Sequence, residues 1–538
     1  IGFRKADQIP ESVFLQQLSM KSRNVVIIAV KQYDNLGAGY MSSVLSANGF
    51  KTLIISPLIE KSHILSAIRR LDPLLIGFSV IFQYHIHLFR DLAEYLREKG
   101  IKCHFTAGGH YASLKNEELF EHIPFLDSIV RFEGEYTLVD LVKRLYKGSD
   151  WRNTDSLSYK YQGDIIENRL RPLESDLDRF PYPARAPLQK VVFEKKFATI
   201  IAGRGCIHNC SFCNVRKFYS LPPGPVKRIR NPVKVAEEMS YLHNRRNCSI
   251  FFFLDDDFPV RPVCDPEWVK TFCNSLKEMD LSGKIMWKIC CRPDEIDYDL
   301  FRIMKQHGLF RVFLGIEDGT ESGLKSLNKN MTVEDTLAGI NILRDLEIEY
   351  DYGYMLFQPG TTFRSLYANL DFLKIICNNG YTPVTFLKLM PYYDTKVEKE
   401  LSEQGRLKIT GGLRDYDFLS GRMNRYYDFI SGLFSDWLRH PGGVANLAGW
   451  GITYYSVYSH YFGRDSDVKR LKNRFSRLVN ESNEYILFTL TGLAMIFERG
   501  DCNKSSNVRL KKIAEDAGIK SRLRSEEHTS ELQSRQVI

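Results

Sequence analysis

Three cysteines stand within eight residues in the run Gly203-Arg204-Gly205-Cys206-Ile207-His208-Asn209-Cys210-Ser211-Phe212-Cys213. Spaced C-x3-C-x2-C, three thiolates can wrap one corner of a metal cluster. A [4Fe–4S] cube needs a ligand at each iron, so three local cysteines leave one iron open to an outside ligand. Gly203 and Gly205 are expected to let the backbone turn closely around such a cluster. The competing chemistry is a Cys3His zinc site made from Cys206, His208, Cys210 and Cys213. Structural zinc sites usually draw ligand pairs from two separate segments, whereas these four residues form one compact run.

Further polar residues close a series of apolar runs downstream. Asp255-Asp256-Asp257 follows Leu254, Arg292-Pro293-Asp294 follows Cys291, and Glu317-Asp318-Gly319 follows Ile316. Gln358-Pro359-Gly360 and Pro391-Tyr392 close two more. If the runs are barrel strands, these groups gather at the strand C-termini, where barrel active sites lie.

The positioning elements can be read from periodicity. Residues 196–392 alternate candidate strands (Phe197–Ala202, Ser249–Leu254, Ile285–Cys290, Arg311–Ile316, Tyr352–Phe357 and Val384–Leu389) with helical stretches such as Pro232–Asn244 and Val333–Leu346. Six strand–helix units imply a partial (β/α)6 barrel. Residues 20–147 hold five short apolar runs (Val25–Val30, Thr52–Ser56, Leu74–Val80, Cys103–Ala107 and Ser128–Phe132) separated by helical stretches. That rhythm predicts a doubly wound parallel sheet, so the fold class is α/β with a Rossmann-like N-terminal domain. Between the blocks, residues 148–195 read as a hairpin (Leu157–Tyr161 and Asp164–Glu167) and a proline-rich linker around Phe180-Pro181-Tyr182-Pro183. Residues 393–520 are aromatic, show no strand rhythm and are expected to be mostly helical. Arg422, Arg425, Tyr426, Tyr427 and Trp437 in that region either cover the barrel mouth or pack as core. The chain starts at Ile1 rather than Met, consistent with a truncated start, and 521–538 resemble a translated sequencing adapter.

The C-x3-C-x2-C spacing with an aromatic before the last cysteine resembles the radical S-adenosylmethionine (SAM) superfamily. The segment Phe313–Thr320 through Asn328-Lys329-Asn330-Met331-Thr332 is similar to its cobalamin-dependent members, which include methyltransferases and the anaerobic magnesium-protoporphyrin ester cyclase. The resemblance implies a [4Fe–4S] cluster on Cys206, Cys210 and Cys213 and SAM bound at the open iron. It implies Phe212 beside the cluster and adenine, and Glu317, Arg292 and Asp256 as SAM contacts. An acid suits the SAM amino group or ribose, and an arginine suits its carboxylate.

Glycine-rich loops follow the strands of the first block: Asp34-Asn35-Leu36-Gly37-Ala38-Gly39, Ser79, Gly108-Gly109-His110 and Glu133-Gly134. Doubly wound domains bind ligands at that edge, and glycines there are expected to admit a large one. Together these loops resemble a cobalamin-binding domain. Many cobalamin proteins carry D-x-H-x-x-G after the first strand, with the histidine on cobalt. Here Leu36 stands in the histidine position, so no histidine ligand is expected from this loop.

The resemblance implies a methyltransferase acting at an unactivated carbon through a 5′-deoxyadenosyl radical and methylcobalamin. The alternatives are a cyclase or oxidoreductase using cobalamin without methyl transfer, and a zinc-stabilised non-catalytic protein. Expected partners are a small-molecule or peptide substrate and an electron donor such as flavodoxin or ferredoxin. Net charge is +9 over 538 residues with the basic residues scattered, so no nucleic-acid partner is expected. Eleven cysteines without framework spacing argue against a disulfide scaffold and for a reducing compartment such as the cytoplasm. No apolar run is long enough to span a membrane.

Overall fold

A computed structural model describes residues 22–30, 34–186, 188, 190–192, 194–260, 266–463, 466–500 and 516. The segment 521–538 lies outside the described residues. The chain forms two compact units. The first comprises Ile1–Glu174, Arg179–Ala186 and Leu221–Gly224; the second comprises Ser175–Asp178, Pro187–Ser220 and Pro225–Ile538.

In the first unit, β1 (Asn24–Ala29), β2 (Lys51–Ile55), β3 (Leu75–Ser79), β4 (His104–Gly108) and β5 (Ser128–Val130) are parallel in the order 2-1-3-4-5. The central strands are covered on both faces: Val25–Ala29 are all buried, as are Leu75–Phe78. This explains why they read as continuous apolar runs. The hairpin of β6 (Leu157–Tyr161) and β7 (Asp164–Glu167) has the bounds that the sequence predicts. It pairs antiparallel with β5 and so widens this sheet to seven strands. The chain reverses winding between β1 and β3, the crevice where this topology places ligands.

The second unit begins with β8 (Lys190–Val192), antiparallel to β9 (Lys195–Ile200). The short pair β10 (Gly203–Arg204) and β11 (Arg228–Ile229) brackets the cysteine run. The strands β12 (Cys248–Phe253), β13 (Met286–Cys291), β14 (Leu309–Glu317) and β15 (Glu349–Tyr354) extend the sheet in the order 15-14-13-12-9-8, with β9 and β12–β15 parallel. The sixth expected strand, Val384–Leu389, is reduced to an isolated parallel bridge between Phe357 and Lys388. β14 is kinked: its register shifts between Gly315 and Glu317, and Met355 N–H donates to Glu317 O, so β15 ends at Tyr354.

The two faces of this sheet differ. Phe251, Phe253, Trp287, Ile289, Val312, Leu314, Tyr350 and Tyr352 point outward into the core formed with the surrounding helices. Burying one such phenylalanine contributes about 2–3 kcal/mol. The inner face is closed at its N-terminal end, where Phe197, Ile250, Met286 and Phe310 meet Val457 of the helix Val444–Phe462. Arg311 donates to Thr453 Oγ1 of that helix at 2.7 Å, and Ser456 Oγ donates to Glu349 at 2.6 Å.

The C-terminal region is mostly helical, with one departure from expectation: Leu407–Thr410 and Leu413–Tyr416 form an antiparallel hairpin. Its turn is Gly411-Gly412, both at positive φ. Tyr426 and Trp437 are core, with Tyr426 OH donating to Leu490 O at 3.0 Å. No helix among the described residues is long and apolar enough to cross a membrane.

Candidate active site

The cysteine run leaves the C-terminal end of β9 and is fixed by three consecutive carboxylates that leave β12. Asp255 accepts from Ala202 N–H at 3.0 Å and Gly203 N–H at 2.6 Å, and Asp256 accepts from Gly205 N–H at 3.1 Å. Asp257 Oδ2 lies 3.7 Å from Cys206 Sγ. Burial pushes the Asp255 and Asp257 carboxyls up to about 7. From the other side, Ser211 N–H donates to Leu327 O, Ser211 Oγ donates to Ser326 O, and Asn328 donates to Asn209 O. Asp256 therefore has a backbone partner within the cysteine loop.

Gly203 and Gly205 are closely packed by protein backbone. A Cβ at Gly203 would meet Arg228 O, and one at Gly205 would meet Val226 O; Gly205 sits at φ +82. Close packing against the segment that includes β11 demands glycine there.

Cys206, Cys210 and Cys213 are half-buried free thiols. Burial pushes Cys206 and Cys213 up to about 12 and also raises Cys210, so metal uptake must expel protons from them. The charges that reach Cys210 are those of Lys329, Arg292 and Glu317. His208 hydrogen-bonds Glu295 at 2.8 Å and lies 3.7 Å from Asp257 Oδ2. The metal-competent group that includes His208 holds Cys206 and Asp257 but neither Cys210 nor Cys213. These residues do not gather a Cys3His zinc site, and three thiols in one loop are the donor type that an iron–sulfur cluster takes.

Glu317 ends β14 at φ +72, a strained conformation for a non-glycine residue and one that clusters at functional sites. Its carboxylate fills space that two glycines leave open. A Cβ at Gly315 would lie 3.3 Å from Glu317 Oε1 and from Lys329 Nζ, and one at Gly353 would lie 3.2 Å from Glu317 Oε2. Burial raises the Glu317 carboxyl, opposed by Lys329. Arg292 is buried and holds Asp294 through two 2.8 Å hydrogen bonds. Phe212 packs at the edge of the main core.

Lys329 was not singled out by sequence reasoning. It is 3% exposed and donates to Gly315 O at 2.8 Å. Asn328 and Asn330 on either side both have positive φ. A lysine between two asparagines just before the capping box at Thr332 was the available signal.

In the first unit the expected residues share the C-terminal edge of the sheet. Leu36 opens the helix Leu36–Ala47 and is 9% exposed; Asn35 caps it by accepting Ala38 N–H at 2.9 Å. Asp34 pairs with Arg185 at 2.7 Å, a partner too far away in sequence to foresee. Ser79, Gly108, Gly109, His110 and Glu133 are half-buried at the ends of β3, β4 and β5, while Gly134 is buried. Two of the glycines are closely packed by backbone. A Cβ at Gly39 would meet Ala184 O at 2.6 Å, and one at Gly109 would meet Val80 O at 2.8 Å. Half-buried polar residues along one edge fit a large polar ligand, and Leu36 offers cobalt no donor atom.

Comparison with known proteins agrees with this geometry. Residues 200–373 match the radical SAM superfamily and residues 23–142 match the B12 binding domain. An uncharacterized methyltransferase of Pyrococcus horikoshii is 26% identical over 347 residues, covering 63% of this chain and 72% of that protein. The anaerobic magnesium-protoporphyrin IX monomethyl ester cyclase of Rubrivivax gelatinosus is 25% identical over 378 residues, covering 67% of this chain and 66% of that one. Among solved structures, the cobalamin-dependent SAM radical enzyme OxsB superposes with a TM-score of 0.66 at 17% identity, covering 93% of this chain and 84% of that one. The chain belongs to the radical SAM superfamily, in the group whose radical SAM domain follows a B12-binding domain. It is a cobalamin-dependent radical SAM enzyme, and its cofactors are a [4Fe–4S] cluster, SAM and cobalamin.

Proposed function

We propose that this enzyme methylates an unactivated carbon of a small molecule or peptide. The supporting observation is the convergence of the cysteine loop, Arg292, Glu317 and Lys329 at one end of the barrel sheet, in a chain whose relatives include a protein named as a methyltransferase. When bound, the cofactors supply one-electron cleavage of SAM and carriage of a methyl group. The chain's residues bind and orient. Cys206, Cys210 and Cys213 would hold the cluster, with the loop held in place by Asp255 and Asp256. Glu317 suits the amino group of SAM, and Arg292 and Lys329 suit its carboxylate. In the first unit, Asp34, Leu36, Gly39, Ser79, Gly108, Gly109, His110, Glu133 and Gly134 belong to the edge that would carry cobalamin. A flavodoxin or ferredoxin in a reducing compartment would deliver electrons.

Protein reconstituted anaerobically and reduced, then supplied with methyl-labelled SAM, tests the reading. Methyl transfer predicts S-adenosylhomocysteine and label on cobalamin. The cyclase relative favours a second reading, in which the enzyme uses cobalamin without transferring the methyl group. That reading predicts deoxyadenosine with no S-adenosylhomocysteine.

A further inference from the structure

The inner face of the barrel sheet changes character along the strands. Above the apolar floor around Val457, it carries Phe252, Lys288, Cys290, Phe313 and Asp351, none of them fully buried. Cys290, Phe313 and Asp351 lie side by side on β13, β14 and β15, one row below Gly315 and Gly353. Lys288 reaches into that row from beneath. Its Nζ donates to Asp351 Oδ2 at 2.7 Å and lies 5.6 Å from the centre of the Phe313 ring. The two charged side chains are 21% and 37% exposed, so open space lies in front of them. Asp351 Oδ1 is shielded from solvent and has no hydrogen-bond partner.

A half-buried ion pair is stable only when its remaining hydrogen-bonding capacity is met. Oδ1 is out of a ligand's reach, but Asp351 Oδ2 has acceptor capacity beyond the hydrogen bond it takes from Lys288, and the ammonium carries donors beyond the one given to Asp351. The pair is already neutral overall, so a charged ligand group would leave one charge unbalanced where solvent reaches the pair only in part. Phe252 and Phe313 supply flat apolar walls beside it.

We propose that Lys288 and Asp351 form the base of the substrate pocket and select a neutral group that both donates and accepts hydrogen bonds. A carboxamide or hydroxyl on a flat apolar body meets that description. This inference rests on the reading above, in that the reaction is placed in this barrel.

Equilibrium dialysis of the reconstituted full chain tests it, with benzamide as probe and benzylammonium and benzoate as charged counterparts. Benzamide is expected to bind at least tenfold more tightly than either. Lys288→Met and Asp351→Leu are each expected to weaken benzamide at least tenfold while leaving S-adenosylhomocysteine affinity within twofold. The double variant K288M/D351L strands no charge, and it supplies the same comparison if a single variant fails to fold. Absence of benzamide binding, equal binding of the charged probes, or unchanged affinity in the variants would each overturn the proposal. So would a parallel loss of S-adenosylhomocysteine binding, because the pair would then serve SAM. Iron content of the same samples is read separately: wild-type protein that binds benzamide but takes up no iron contradicts the catalytic reading and leaves the pocket standing.

Discussion

The Asp255 carboxylate accepts the N–H of Gly203, 52 positions earlier, at 2.6 Å. The exit of β12 thereby sets the strand end from which the cysteine loop departs. Asp255→Ala leaves the buried Ala202 and Gly203 N–H groups without acceptors, which costs about 1–3 kcal/mol. Thermal unfolding is expected to show that loss, and iron retention through desalting is expected to fall with it. An unchanged melting temperature would remove Asp255 from the account.

Glu317 has its strained backbone and two flanking glycines in common with residues placed for binding rather than for stability. Glu317→Gln keeps the shape and removes the charge. A charge-assisted hydrogen bond contributes about 1.5–3 kcal/mol, so affinity for S-adenosylhomocysteine is expected to drop roughly ten- to hundredfold. Iron content is expected to stay at the wild-type level. Equal affinity in the variant would reassign Glu317 to support of β14.

Leu36 at the start of its helix gives cobalt no imidazole from that loop. Electron paramagnetic resonance of the cob(II)alamin-loaded protein is expected to be the same for natural-abundance and 15N-labelled protein. A change in nitrogen hyperfine structure on labelling would reveal a protein nitrogen on the metal.

His104 in β4 bonds Ser128 at 2.8 Å and stands edge-on to Trp151 with ring centres 4.7 Å apart. Burial pulls its imidazole down from 6.5 to about 4. The folded value lies below the unfolded one, so the stabilising neutral ring counts fully above pH 6.5. Its contribution is lost as pH falls toward 4, because the unfolded chain then takes up a proton that the folded chain refuses. The loss is on the order of 2–3 kcal/mol. His104→Gln is expected to flatten the decline in unfolding free energy between pH 6.5 and 4; an identical slope would contradict the assignment.

How much of this could be read from the sequence depended on the distance over which each signal acts. The strands β1–β5, β9 and β12–β14 lie close to where apolar runs place them, and β15 begins and ends earlier than its run; in β1 and β3 burial on both faces leaves no polar interruption. Val384–Leu389 misled because it is apolar without being regular: Leu387 N–H donates to Tyr354 O and Phe357 N–H to Leu387 O, but the kink at Glu317 and Met355 ends the ladder. The Leu407–Tyr416 hairpin was hidden by its exposed first strand, whose residues lack an apolar alternation, although Gly411-Gly412 was a legible turn signal. The cysteines announced themselves by spacing. Asp255, Lys329 and Arg185 did not, since their partners lie far away in sequence. Gly39, Gly109, Gly203 and Gly205 are legible as special positions, and the close chain packing at each is not, because the backbone they meet lies elsewhere in the sequence.

Cys206, Cys210 and Cys213 are the residues that would bind the [4Fe–4S] cluster. Iron, sulfide and zinc analysis of anaerobically reconstituted wild-type protein and Cys210→Ala tests this assignment most directly. About four irons per wild-type chain are expected, with broad absorbance at about 400 nm, and loss of both in the variant. About one zinc per chain and no iron would contradict it.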